Sequence, residues 1–100
     1  MEIMINIETD FNKLTSIMCD IIGCTDYDLL HSRYHPYPTA RALIARKLYD
    51  HGYRWGAIAS LMGKERTSVM RMANRCQDFE NDKTNKLFQR IALEFNKVEL

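Results

Sequence analysis

The residues with most chemistry to offer stand in two places. Cys19, Cys24, His31 and His35 give the spacing C-x4-C-x6-H-x3-H. Tetrahedral zinc takes thiolates and imidazoles as two short pairs separated by enough chain to fold back. Six residues between these pairs are too few for a ββα finger, and Cys19 falls in the middle of a predicted helix. With Cys76 the cysteines number three, an odd count that fits buried small hydrophobes in a reducing setting better than a disulfide framework. The sequence therefore predicts no metal and no cofactor. The second place is Lys64-Glu65-Arg66-Thr67-Ser68 with Arg71 and Arg75 beyond it. Guanidinium and hydroxyl groups in such a run donate to phosphates and to base edges. An ordinary exposed helical hairpin would mix Glu and Lys at i, i+4. No Ser/His/Asp or Cys/His order accompanies either set, His51 has no evident partner, and Asp26 and Asp28 fit a helix start, so no enzyme is expected.

The charge distribution agrees with a polyanion partner. The chain has 100 residues and a formal net charge of +1, which by itself selects nothing. Divided along the chain, residues 1–30 carry −5, residues 31–75 carry +7 and residues 76–100 carry −1. A basic centre between acidic ends is the asymmetry of a nucleic-acid-binding face. Hydrophobic residues are 46% and charged residues 27%, the balance of an ordinary globular domain, and 100 residues suit one domain. The longest apolar runs are three or four residues, so no membrane span and no secretory leader are expected, and a cytoplasmic location is.

The elements that must position these residues all read as helices. Phe11, Leu14, Ile17, Met18, Ile21 and Ile22 form one helical stripe, capped by Thr9 or Asp10 and ended by Gly23. Thr25 caps a one-turn helix to Leu30. His31 to Pro38 reads as a loop, because Pro36 and Pro38 disfavour helix in the residues before them. A helix follows from Thr39 to His51, with Ala40, Leu43, Ile44, Leu48 and Ala45 inward and Arg41, Arg46 and Lys47 outward. Tyr53 to Met62 is next, with Trp55, Ile58, Ala59 and Met62 inward. Then comes Glu65 to Gln77, with Val69, Met72 or Ala73, and Cys76 inward. The last runs from Asp82 to Val98, on a stripe of Leu87, Phe88, Ile91, Phe95 and Val98. Ile3–Ile7 is a weak strand candidate. The expected fold is an all-α compact bundle of five to six helices containing a helix-turn-helix, with residues 1–9 an extension and 10–100 the domain.

The helix-turn-helix is centred on Gly63, between Ile58-Ala59-Ser60-Leu61-Met62 and Arg66-Thr67-Ser68-Val69. In such a unit the first turn of the second helix meets base edges in the major groove. Here the sequence resembles the carboxy-terminal DNA-binding domain of DnaA, the bacterial replication initiator, a Trp-repressor-like helix-turn-helix. That family carries a signature of the form G-G-R-D-H-T-T-V, and Gly63-Lys64-Glu65-Arg66-Thr67-Ser68-Val69 matches it with one glycine fewer. The upstream order is similar too: an amphipathic helix, a short Asp28-Leu29-Leu30 helix, a basic loop, and Ala40-Arg41-Ala42-Leu43-Ile44-Ala45-Arg46-Lys47-Leu48. The resemblance covers roughly residues 10–80.

The resemblance implies sequence-specific binding of double-stranded DNA, of the kind that recognises a replication origin. It places Glu65, Arg66 and Thr67 at base-reading positions in the major groove, and Arg33 in the loop that enters the minor groove. Lys64 and Ser68 fall on the neighbouring basic and hydroxyl positions; with Arg71, Arg41 and Arg75 they read as phosphate contacts. Arg66 replaces the family's histidine, and the loop His31-Ser32-Arg33-Tyr34-His35 is shorter and less basic. No G-x-x-x-x-G-K-[ST] occurs in these residues, so the resemblance extends to DNA binding and not to the initiator's ATPase. The implied setting is the bacterial or phage nucleoid, with replication or mobile-element proteins as partners. Two other readings use the same residues: a transcription regulator or transposase-like module, and a protein-interaction module built on Met62, Met70, Tyr34 and Tyr37.

Overall fold

The structure, a computed structural model, describes residues 7–34, 36–75 and 86–100, and of Phe88 only the backbone. Among the described residues there are six helices and no strand: α1 (Ile7–Ile22), α2 (Asp26–His31), α3 (Tyr37–His51), α4 (Trp55–Met62), α5 (Arg66–Asn74) and α6 (Lys86–Asn96). The all-α bundle expected from periodicity is the fold observed.

α3 is the hub and packs against each of the other five. Its residues 39–45 are buried without interruption, and Ala40, Ala42 and Ala45 let neighbouring helices approach closely. A helix enclosed on several sides has no clean amphipathic stripe. That is why Arg41 and Lys47, expected outward, are not on an open face. Leu14 and Met18 of α1, Leu29 of α2, Ile44 and Leu48 of α3, Ile58 of α4, Val69 of α5 and Phe95 of α6 are fully buried and meet in one core.

Local chemistry explains most of the boundaries. The Thr25 hydroxyl accepts the Asp28 amide at 3.2 Å and starts α2 as expected. Gly23 and Gly52 end α1 and α3 in left-handed backbone. α3 begins at Tyr37, two residues before the expected Thr39, because proline is tolerated in a first helical turn and Pro38 occupies it. α1 is already helical at Ile7, the first described residue, so Thr9 and Asp10 lie within the helix rather than at its cap. Residues 3–6 of the strand candidate Ile3–Ile7 lie outside the described residues, and Ile7 is helical. α4 starts at Trp55 rather than Tyr53; Tyr53 stays in the linker and donates its hydroxyl to the Asp10 carboxylate.

The last helix packs on the chain's own core. Ile91, Ala92 and Phe95 are buried against α1 and α3. Burying Ile91 and Phe95 contributes about 1.5–3 kcal/mol for each side chain to holding the helix there. Lys47 Nζ lies 5.1 Å from the Phe95 ring centre and donates to Val98 O at 2.7 Å; Lys13 Nζ donates to Glu99 O at 3.1 Å. Leu87, expected in the buried stripe, is 49% exposed at the lip of a cleft with Ile21, Ile22 and Tyr37. Cys76, Gln77 and the expected start at Asp82 lie outside the described residues.

Candidate nucleic-acid interface

Three residues separate α4 from α5. Gly63 takes φ +66°, donates to Ser60 O at 3.3 Å, and lets Lys64 N reach Ala59 O at 3.0 Å. This pair of bonds closes the carbonyl end of α4, and it needs a residue without a left-handed penalty. Glu65 is extended, its side chain caps nothing, and its carbonyl accepts the Val69 amide. The positive end of α5 is thus left open at Arg66, Thr67 and Ser68, where an anion is favoured.

Val69 and Ala73 anchor α5 in the core. At about 100° per residue, Arg71 falls on the side opposite them, flanked by Thr67 and Arg75. Lys64, Glu65, Arg66, Thr67, Ser68, Arg71 and Arg75 are all exposed. Among the described residues no carboxylate pairs with Lys64, Arg66, Arg71 or Arg75; the ion pairs there are Arg46–Asp50 and His51–Asp10. Two shallow clefts run along α5. One, of about 330 Å³, sets Ser68, Arg71, Met72 and Arg75 against Pro38, Thr39 and Ala42 of α3. The other, of about 560 Å³, sets Arg66 and Met70 against Tyr49, Arg54, Trp55, Gly56 and Ala57. Arg66 therefore sits over a different flank of α5 from Arg71 and Arg75, although one run of sequence carries all three.

Arg33 is exposed in the loop after α2, and that loop leads into Pro38 at the edge of the first cleft. Its anchor is Arg41. The Arg41 guanidinium is buried, 6% exposed, and one amino group donates to both Leu29 O and Ser32 O at 2.8 Å. This corrects the reading of Arg41 as an outward phosphate contact: the guanidinium is spent on the carbonyl end of α2, which its charge complements. Burial lowers its pKa, and its Nε has no partner. Tyr34, beside Arg33, is 81% exposed, and its amide donates to the Ser32 hydroxyl at 3.2 Å.

Cys19 and Cys24 stay side by side, and the described members of the cysteine–histidine set have other partners. Cys19 is buried, and its thiol donates to Asp26 Oδ1 at 3.1 Å; burial first and this bond second push its pKa up to about 12. The His31 ring packs on Tyr27, and His35 lies outside the described residues. Among the described residues no three His, Cys, Asp or Glu side chains gather in a way that would hold a metal ion. None of the helices there is long and apolar enough to cross a membrane. Of the residues named for a protein-interaction module, Met62, Met70 and Tyr37 are half-buried and only Tyr34 is open.

Periodicity missed the second cleft. Trp55 reads as an inward residue, yet its ring stacks on Tyr49 of α3, with centroids 4.1 Å apart and 10° between planes. The available signal was an aromatic near the end of one helix and another at the start of the next, with Gly52 turning the chain between them. No protein-family model, curated protein or solved structure matches this chain.

Proposed function

We propose that this chain binds double-stranded DNA sequence-specifically, with α5 in the major groove and the Arg33 loop on the adjoining minor groove. The observation that carries this reading is the outer side of α5: Thr67, Ser68, Arg71 and Arg75 are exposed together, and neither arginine has an acidic partner among the described residues. Arg71 and Arg75 are four apart, a spacing at which like charges cost a helix about 0.2–0.5 kcal/mol. A face that meets a polyanion recovers the cost on binding. In this reading Arg66 donates to guanine, Thr67 offers its methyl to thymine, and Glu65 accepts from cytosine. Lys64, Ser68, Arg71 and Arg75 hold phosphates and set the register. The resemblance to the DnaA carboxy-terminal domain supports an origin-type or mobile-element site in a bacterial or phage setting.

Titrating a fluorescent duplex with the full chain at several salt concentrations tests this. The logarithm of affinity is expected to fall linearly with that of salt, at about 0.9 for each phosphate neutralised. Arg66→Ala is expected to narrow the gap between preferred and scrambled duplexes. A chain that leaves duplex DNA unbound at low salt would overturn the proposal.

A further inference from the structure

The cleft on the Arg66 side of α5 has chemistry that duplex reading, Arg66 apart, leaves unused. Its wall is the parallel Tyr49–Trp55 stack, and Tyr49 remains 45% exposed. Gly56 and Ala57, also exposed, line the same cleft and add little side chain to it. Arg54 and Arg66 line the same cleft, are exposed, and have no carboxylate partner among the described residues. No acidic residue lines the cleft. An aliphatic ligand would use neither the ring planes nor the charges. A flat aromatic group carrying negative charge uses both: its ring extends the stack, and its anion meets the guanidiniums. An unpaired nucleotide has that composition in every unit of its chain.

We infer that this cleft binds unpaired nucleotides of single-stranded DNA, with bases stacked on the Tyr49–Trp55 pair and phosphates held by Arg54 and Arg66. The site is distinct from the duplex face and adjoins it at Arg66. The choice of DNA over RNA rests on the duplex-binding reading.

Trp55 is the single tryptophan of the chain, so tryptophan fluorescence reports on this cleft. Titrating the full chain with short oligothymidylate is expected to quench it saturably, and salt to reverse the quenching. Tyr49→Ala removes a half-exposed stacking partner and is expected to weaken binding roughly tenfold, within the range for loss of one stacked base. Arg54→Ala, a surface change that leaves the stack intact, is expected to lower the salt slope by about 0.7. Arg71→Ala is expected to weaken duplex binding and leave oligothymidylate binding unchanged. Oligothymidylate that quenches nothing, or that binds the Tyr49 and Arg54 variants like the parent, would overturn the inference. So would quenching by a short acidic tyrosine-containing peptide or by oligouridylate but not by oligothymidylate. A chain that binds oligothymidylate and no duplex sinks the duplex reading while the cleft stands; the reverse result sinks the cleft alone.

Discussion

At the scale of the residue, two arginines of the basic centre have opposite fates. Arg41 is enclosed by α3's neighbours and holds two carbonyls at the end of α2; Arg71 is exposed on α5 and has no acidic partner among the described residues. Hydrogen bonds from a charged donor are each worth about 1.5–3 kcal/mol. Arg41→Met keeps the side-chain volume and removes both bonds, so urea unfolding is expected to show a loss of about 2–4 kcal/mol. Arg71→Ala is expected to leave stability within about 0.5 kcal/mol of the parent and to lower the salt slope of duplex binding by about one. A large stability loss from Arg71→Ala, or none from Arg41→Met, would reverse the assignment. Sequence could not separate the two, since both are arginines on helices in a cationic stretch. What separates them is how many helices cover α3, a tertiary fact. The same limit hid the Tyr49–Trp55 stack, whose partners lie on different helices.

At the scale of the element, patterning was legible wherever one face of a helix is buried. α1, α4 and α5 carry such faces, and their inward residues Phe11, Leu14, Met18, Ile58, Ala59, Val69 and Ala73 were readable from spacing. Thr25 and Gly63 were readable from capping chemistry. The start of α3 was not, because Pro38 serves inside a first turn as readily as it ends a helix. Gly63 gives a direct test of the turn. A Cβ there would meet nothing within 4 Å, so the cost of Gly63→Ala is one of backbone conformation alone. Placing alanine at φ +66° is expected to cost about 1–2 kcal/mol in thermal or urea unfolding. Gly63→Asn should cost less, because asparagine tolerates that region. Equal stability of all three chains would show that the turn adopts another conformation.

At the scale of the whole molecule, the bundle joins an acidic first segment to a basic centre around one core, and a buried thiol and a half-buried phenol give it a pH signature. Cys19 is pushed up to about 12 by burial and by its bond to Asp26, and Tyr53 to about 12 by burial and by its bond to Asp10. Both lose their protons later in the folded chain than in the unfolded one. Their contribution is therefore complete below the ordinary thiol and phenol range and is lost as pH rises from about 9 towards 12. Lys47, whose pKa burial lowers, acts in the opposite sense, so the comparison is made between chains. The urea midpoint of the parent is expected to fall more steeply between about pH 8 and pH 10.5 than that of a Cys19→Ala, Tyr53→Phe double variant. Parallel falls would contradict those assignments. The central claim concerns base reading by the exposed first turn of α5 and phosphate binding by its outer face, and selection of bound duplexes from a random-sequence pool by the full chain tests it most directly. The expected result is one enriched motif for the parent and a relaxed motif after Arg66→Ala. Recovery of duplexes with no enriched motif, or of none above background, would contradict it.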